Sequence, residues 1–172
     1  MISIYMNIPK KVLKDFLRIY RPGGRYLKSV QDLGPRTAGG RFSIKHSVYL
    51  KKSVSTGHLN LTDFSLCCDQ LVYVATAYKI MNNELTELKE RKGVTYDYFK
   101  ENKLKGLVAR VNRINFLRKV DPLDFNIHLE ITKIKKRHNI YYMFTKFNVN
   151  KGEFYADLPF VLEIKKSNSS SQ

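Results

Sequence analysis

An α+β fold, one long helix enclosed by a curved antiparallel sheet, follows from three features of the sequence. Residues from about 61 to 81 carry Leu66, Leu71, Val72, Val74, Ala75, Ala77 and Ile80, which do not confine themselves to one stripe. A helix that is apolar nearly all round has to be buried nearly all round. Before it, Phe42, Ile44, His46, Val48 and Leu50 recur with a period of two, the signature of a strand. After residue 107 the chain offers strand after strand.

The elements follow in order. Val12, Phe16 and Ile19, with Leu13 and Leu17 alongside, predict an N-terminal helix over about residues 8–20, and Pro9 suits its start. Arg21-Pro22-Gly23-Gly24 ends it, and glycine-rich composition predicts a loop as far as Gly39-Gly40. This stretch is no phosphate-binding fingerprint, because no strand precedes it and no Gly-Lys-Ser/Thr follows. Tyr20, Tyr26 and Arg36 are available there to fold over a pocket. Thr56-Gly57-His58-Leu59-Asn60 reads as the turn that caps the long helix. Asn60 or Thr62 is placed to accept a first-turn amide, and Asp63 suits the positive end of the dipole. Residues 96–103 read as a short excursion. Leu107 to Phe116 alternates with a slip near Asn112 or Arg113, which predicts a bulge. Leu123 to Thr132 alternates cleanly; Ile140, Tyr142 and Phe144 open a third strand; Asn150-Lys151-Gly152 reads as a hairpin turn. Phe154 to Ile164 closes the series, with Pro159 marking an edge or a bulge. One curved sheet wrapping a long apolar helix is the hot-dog arrangement. Its sheets commonly join edge to edge, so a homodimer or higher even oligomer is expected. Residues 1–172 read as a single domain: an N-terminal helix and loop over 1–40, a core over 41–166 and a disordered tail over 167–172.

Composition narrows the function classes. At 172 residues and 43% hydrophobic content the chain is long enough for a real core. No run approaches a membrane span and the N-terminus shows no signal-peptide pattern, so the expected location is the cytoplasm. Cys67 and Cys68 are the only cysteines; neighbours on a helix point apart, so they read as small core residues. His46, His128 and His138 lack ligand-like partners, and neither a metal nor a cofactor is assigned. The net charge of +16 favours phosphate-bearing ligands or an acidic carrier protein. Nucleic acid is disfavoured, because the outward strand positions are Asp124, Asn126, Glu130 and Thr132 rather than aromatic residues.

Within the central stretch, Gly57-His58-Leu59-Asn60 followed by Asp69-Gln70-Leu71-Val72-Tyr73 resembles the FcoT-like long-chain fatty acyl-CoA thioesterases, a hot-dog family. Arg118-Lys119-Val120-Asp121-Pro122, leading into a strand, supports the resemblance, which covers about residues 40–165. It implies an acyl-thioester hydrolase acting on acyl-CoA or acyl-carrier-protein substrates, with a role in lipid or lipopeptide biosynthesis. It also implies a site at the turn before the helix and along its first turns, where amide and tyrosine side chains surround the thioester carbonyl. Asn60 is the matched polar residue of that turn; Asp69 stands where an amide is expected. On this footing the catalytic candidates are Asn60 or nearby helix amides as oxyanion donors, Asp69 as base and His58 as an orienting group. Burial is expected to raise the Asp69 pKa. Tyr49, Gly57, Gln70 and Tyr73 are the substrate-binding candidates, Tyr73 lying one helical turn from Asp69.

Structural roles compete with each of these. Asp69 in an apolar helix is costly unless paired or used, so an Arg or Lys partner from a strand is the alternative to catalysis. For Asn60 the alternative is a cap alone, and for His58 a turn residue alone. Two other functions stay open: a dehydratase or related enzyme on 3-substituted or unsaturated acyl thioesters, and a non-catalytic acyl- or nucleic-acid-binding module.

Overall fold

The computed structural model describes residues 6–47, 57–89, 97, 107–109, 113–138, 140–150 and 152–163. Helix α1 spans Lys10–Leu17 and buries Val12, Leu13, Phe16 and Leu17 on one face. A short 3-10 turn over Pro22–Gly24 ends the segment. The long helix α2, Leu61–Met81, has 21 residues. Every residue from Gln70 to Lys79 is buried. A last helical turn, α3, spans Thr86–Lys89.

Eight strands among the described residues form one antiparallel sheet: β1 Met6–Asn7, β2 Leu27–Gly34, β3 Thr37–Phe42, β4 Leu107–Ala109, β5 Arg113–Phe116, β6 Phe125–Arg137, β7 Ile140–Val149 and β8 Phe154–Glu163. The order across the sheet is β1-β2-β3-β6-β7-β8-β4, with β5 also paired to β8. Helix α2 packs against α1, β2, β3 and β6. Its Phe64 ring meets Phe154 of β8 edge-on at 4.1 Å between centroids, which ties the start of the helix to the far side of the sheet.

The loop expected up to Gly40 is in fact the β2–β3 hairpin, and strand β3 ends at Phe42 where the first strand was expected to begin. Glycine here does not mark a turn. Gly40 pairs with Val30 on one side and Ile127 on the other, and its bare backbone faces the helix. A Cβ added there would lie 2.8 Å from the Phe42 ring and 3.0 Å from both Leu27 and Leu71 side-chain carbons. The neighbouring core has no slack, so Gly40→Ala is expected to cost about 1–3 kcal/mol in chemical denaturation. An unchanged midpoint would mean that the strand stands off from the helix. Residues 43–47, expected as strand, are irregular, and Val48 to Leu50 lie outside the described residues.

The later strands follow the alternation with two adjustments. Strand β6 buries Phe125, Ile127, Leu129 and Ile131, but Leu123 is exposed and lies outside it. Strand β7 buries Tyr141, Met143, Thr145, Phe147 and Val149, not the face led by Ile140, Tyr142 and Phe144. Both faces of β7 are rich in large apolar side chains, so alternation alone left its orientation open. The bulge expected near Asn112 or Arg113 falls in part outside the described residues, and the pairings on either side of it are offset. Ala109 pairs with Phe160 and Arg113 with Asp157, so four steps along one strand face three along the other. Pro159, between Phe160 and Asp157 on β8, pairs with Phe144 of β7. The segment 96–103 and the tail 167–172 fall outside the described residues, save for a helical assignment at Asp97.

Two buried polar side chains fix how α2 lies on β2. Gln70 is fully buried; its Oε1 accepts from the Tyr26 and Leu27 amides, both at 3.0 Å, and its Nε2 donates to the Gly24 carbonyl at 2.6 Å. Lys79, 1% exposed, donates to Asp32 at 2.8 Å, to Glu84 at 3.2 Å and to the Gly34 carbonyl. A buried ammonium is tolerable only with such a partner set. Together they hold two successive parts of the helix and so set the direction its opposite side faces.

Candidate functional site

Asn60 is the N-cap of α2, in extended backbone conformation, and its Oδ1 accepts from the Asp63 amide at 2.9 Å. Its Nδ2 donates to Asp63 Oδ2 at 2.6 Å, so cap and first-turn carboxylate hold each other. Asp63 Oδ1 accepts from the Tyr26 hydroxyl at 3.1 Å and the Ser47 hydroxyl at 3.0 Å. This buried carboxylate is thus the knot that joins the turn, the β2 lead-in and the segment after β3. Sequence reading gave Asp63 only a dipole role. The Asn60-x-x-Asp63 spacing of a capping box was the available signal.

The turn before α2 is open to solvent on one side. Gly57 has φ +62°, a left-handed conformation suited to glycine, and His58 is exposed. The Leu59 amide donates to the Val120 carbonyl at 3.0 Å, which brings the segment 117–120 alongside. His58, Asn60, Leu61, Arg118 and Lys119 line the resulting groove of about 680 Å³.

Asp69 lies elsewhere. Nine residues beyond Asn60, it is about two and a half turns and roughly 13 Å along the axis, on the opposite side of the helix. The structure therefore does not bring Asn60 and His58 to the same point as Asp69. Asp69 shares a helix face with Tyr73, and its charge is felt also by Tyr20, which follows α1. Both phenols are held well above the usual tyrosine range, first by burial and then by the negative charge of Asp69; Tyr73 adds a smaller push on Tyr20. Burial raises the Asp69 pKa to about 6. Among the described residues its carboxylate forms no hydrogen bond and no ion pair, so the alternative of an Arg or Lys partner is not found there. A half-buried carboxylate with no cation among the described residues, near two phenols held in their protonated form, is an arrangement that suits proton transfer near neutral pH.

The remaining candidates sort by position. The Gln70 amide is taken up by the backbone of residues 24–27, about 100° around the helix from Asp69. Tyr49 lies outside the described residues. Of the tyrosines offered by the N-terminal segment, Tyr20 feels the charge of Asp69 and Tyr26 donates to Asp63, whereas Arg36 pairs with Glu87. Cys67 and Cys68 are fully buried, and burial pushes both thiols up. No group of three or more His, Cys, Asp or Glu side chains suited to a metal occurs among the described residues.

The chain is 33% identical over 132 residues to a (2E)-enoyl-[ACP] glycyltransferase of Mycobacterium marinum, spanning 72% of this chain and 68% of that protein. In fold it is similar to a hypothetical thioesterase from Streptococcus pneumoniae solved with coenzyme A, at TM-score 0.51 and 12% identity, covering 91% of this chain and 99% of the other. It is similar also to the GphF dehydratase, at TM-score 0.57 and 14% identity, covering 94% of this chain and 50% of that one. These likenesses show the hot-dog fold. A family model described as the FcoT-like thioesterase domain matches residues 15–157, and the chain belongs to that family.

Proposed function

We propose that this protein adds the amine of glycine, or of a closely related amino acid, across the conjugated double bond of a 2-enoyl thioester carried on an acyl carrier protein. The observation that carries the reading is Asp69, a half-buried carboxylate with pKa about 6 beside Tyr20 and Tyr73. The similarity to enoyl-carrier glycyltransferases supplies the reaction class. In the addition the Asp69 carboxylate takes a proton from the incoming ammonium. The freed nitrogen forms a bond to C3 of the acyl chain as the C2–C3 π bond breaks. The electron pair moves onto the thioester oxygen, where a protonated phenol of Tyr20 or Tyr73 donates to it. Asp69 then returns its proton to C2. The thioester stays intact, nothing leaves, and no redox partner is required.

Hydrolysis is the second reading, supported by the thioesterase family itself, since a carboxylate of this kind equally activates water. Asn60 and His58, at the neighbouring turn, serve in either case to seat the carrier arm in their groove rather than to share the Asp69 chemistry. Thr62, Leu66 and Asp69, in the first turns of α2, are incompletely covered in the single chain, which supports an even oligomer that closes them.

The test is incubation of a 2-enoyl carrier protein with isotopically labelled glycine, followed by intact-mass analysis of the carrier and a parallel thiol-release assay. A mass gain of one glycine without thiol release is the expected result. Thiol release without a mass gain would establish the hydrolase instead.

A further inference from the structure

A second pocket, of about 530 Å³, opens on the other side of the Asp63 knot. Tyr26 and Ser47, whose hydroxyls both bond Asp63, line it, and around them stand Arg21, Arg25, Lys28 and Lys45. All four basic residues are exposed. Among the described residues none of the four has a carboxylate within ion-pair distance, in contrast to Arg36, Arg41 and Lys79, each of which is paired. Two of them are also held in place. Arg25 Nε donates to the Tyr20 carbonyl at 2.9 Å, and Lys28 Nζ to the Arg25 carbonyl at 3.2 Å. Cations gathered on one face repel each other and gain nothing from the fold when no anion accompanies them.

We propose that this face docks the acidic surface of the carrier protein that delivers the acyl thioester. The inference rests on the carrier-borne substrate proposed above, and it names the surface that recognises the carrier. A macromolecular partner fits better than a lone phosphate. The cations come from two separate stretches, 21–28 and 45, and are spread around a rim. Arg25 and Lys28 are anchored to protein carbonyls, so half of the array is held before a partner arrives. The patch also lies close to both ends of the proposed chemistry. Arg25 is bonded to the backbone of Tyr20, and the pocket floor shares Asp63 with Asn60 of the groove. A carrier seated here has its arm beside the turn before α2.

The test uses the full chain with Arg21→Glu and Lys45→Glu combined, and Arg21→Gln with Lys45→Gln as the milder pair. Neither side chain holds a hydrogen bond among the described residues, so both variants are expected to fold as the parent does, checked by circular dichroism and melting. Binding of a fluorescently labelled holo-carrier is read by anisotropy. Turnover is compared between an enoyl carrier and the same enoyl group on a free pantetheine. Charge reversal is expected to weaken carrier binding and raise the carrier KM by about tenfold at low salt, with the neutral pair intermediate and the pantetheine KM unchanged. Added salt should weaken parent binding and leave the reversed variant nearly flat. Carrier binding that is equal in parent and variant overturns the docking face, even if turnover establishes the reaction. Binding that is lost on reversal supports the face even if no enoyl thioester is turned over. Tighter parent binding to a duplex DNA than to the carrier, lost in the same variant, would reassign the patch and overturn the proposal.

Discussion

Asp69→Asn is expected to lower turnover by about 10²–10⁴-fold and, at the same time, to make the protein more stable at neutral pH. The two effects have one cause. In the folded chain the carboxyl titrates at about 6, against an ordinary value of 3.8, because burial penalises its charged form. Between those two values the folded state holds more protons than the unfolded state. Stability therefore falls as pH rises through that window, and the cost is complete once pH exceeds the folded value. Each pKa unit corresponds to about 1.4 kcal/mol, so the cost at neutral pH is on the order of 2–3 kcal/mol. Asparagine has the same shape and no charge to desolvate. Parent and variant should melt together near pH 4, and the variant should melt several degrees higher near pH 8. The parent's kcat/KM should rise on the acid side with a midpoint near 6, and this limb should vanish from the residual activity of the variant. If the variant retains turnover within about threefold of the parent, Asp69 is not the base. If it is also less stable at pH 8, the carboxylate has a partner that holds it ionised.

The long helix and the candidate residues on it were legible in the sequence for the same reason: both depend on residues close together in the chain. A helix apolar all round announces its own burial, and a carboxylate within it announces a problem to be solved. Asn60 as cap and the Asp69–Tyr73 pair follow from local spacing alone. The hairpin over residues 27–42 was not legible, because its glycines mimic a loop. Gly40 is small to admit Leu71 of α2, 31 residues further along, and that is a tertiary reason. Strand β7 failed differently. Its two faces are about equally apolar, and only the register against β6 and β8 decides which of them meets the helix. In the candidate site, Tyr20 was recognised as available but not as a group that feels the charge of Asp69, since the packing of α1 on α2 sets how near they come. The grouping of Asn60 and His58 with Asp69 failed on helix geometry. Nine residues turn a helix by about half a revolution beyond two full turns, which sets the cap and the carboxylate on opposite sides.

That geometry gives Gln70 a different employment from the substrate contact first expected of it. Gln70→Leu is expected to destabilise the protein by about 3–5 kcal/mol, read as a shift of the urea midpoint, with the KM of the remaining folded enzyme unchanged. Leucine has nearly the same volume, so no sizeable cavity forms. The loss is in satisfaction of the backbone. Without the glutamine, the amides of Tyr26 and Leu27 and the carbonyl of Gly24 lose their recorded side-chain partner, at about 1–3 kcal/mol for each group left unsatisfied. These three groups stand where the chain leaves its 3-10 turn and enters β2, so the change loosens the seat of α2 on the sheet and with it the distance from Tyr20 to Asp69. Gln70→Glu separates the structural role from a polar one. Its carboxylate still accepts from both amides but cannot donate to Gly24, and its charge is buried, so it should be no more stable than the leucine variant above about pH 6 and should recover as the pH falls and the acid protonates. A Gln70→Leu protein that melts with the parent but shows a raised KM would return this residue to the substrate pocket and reverse the assignment of the two sides of the helix.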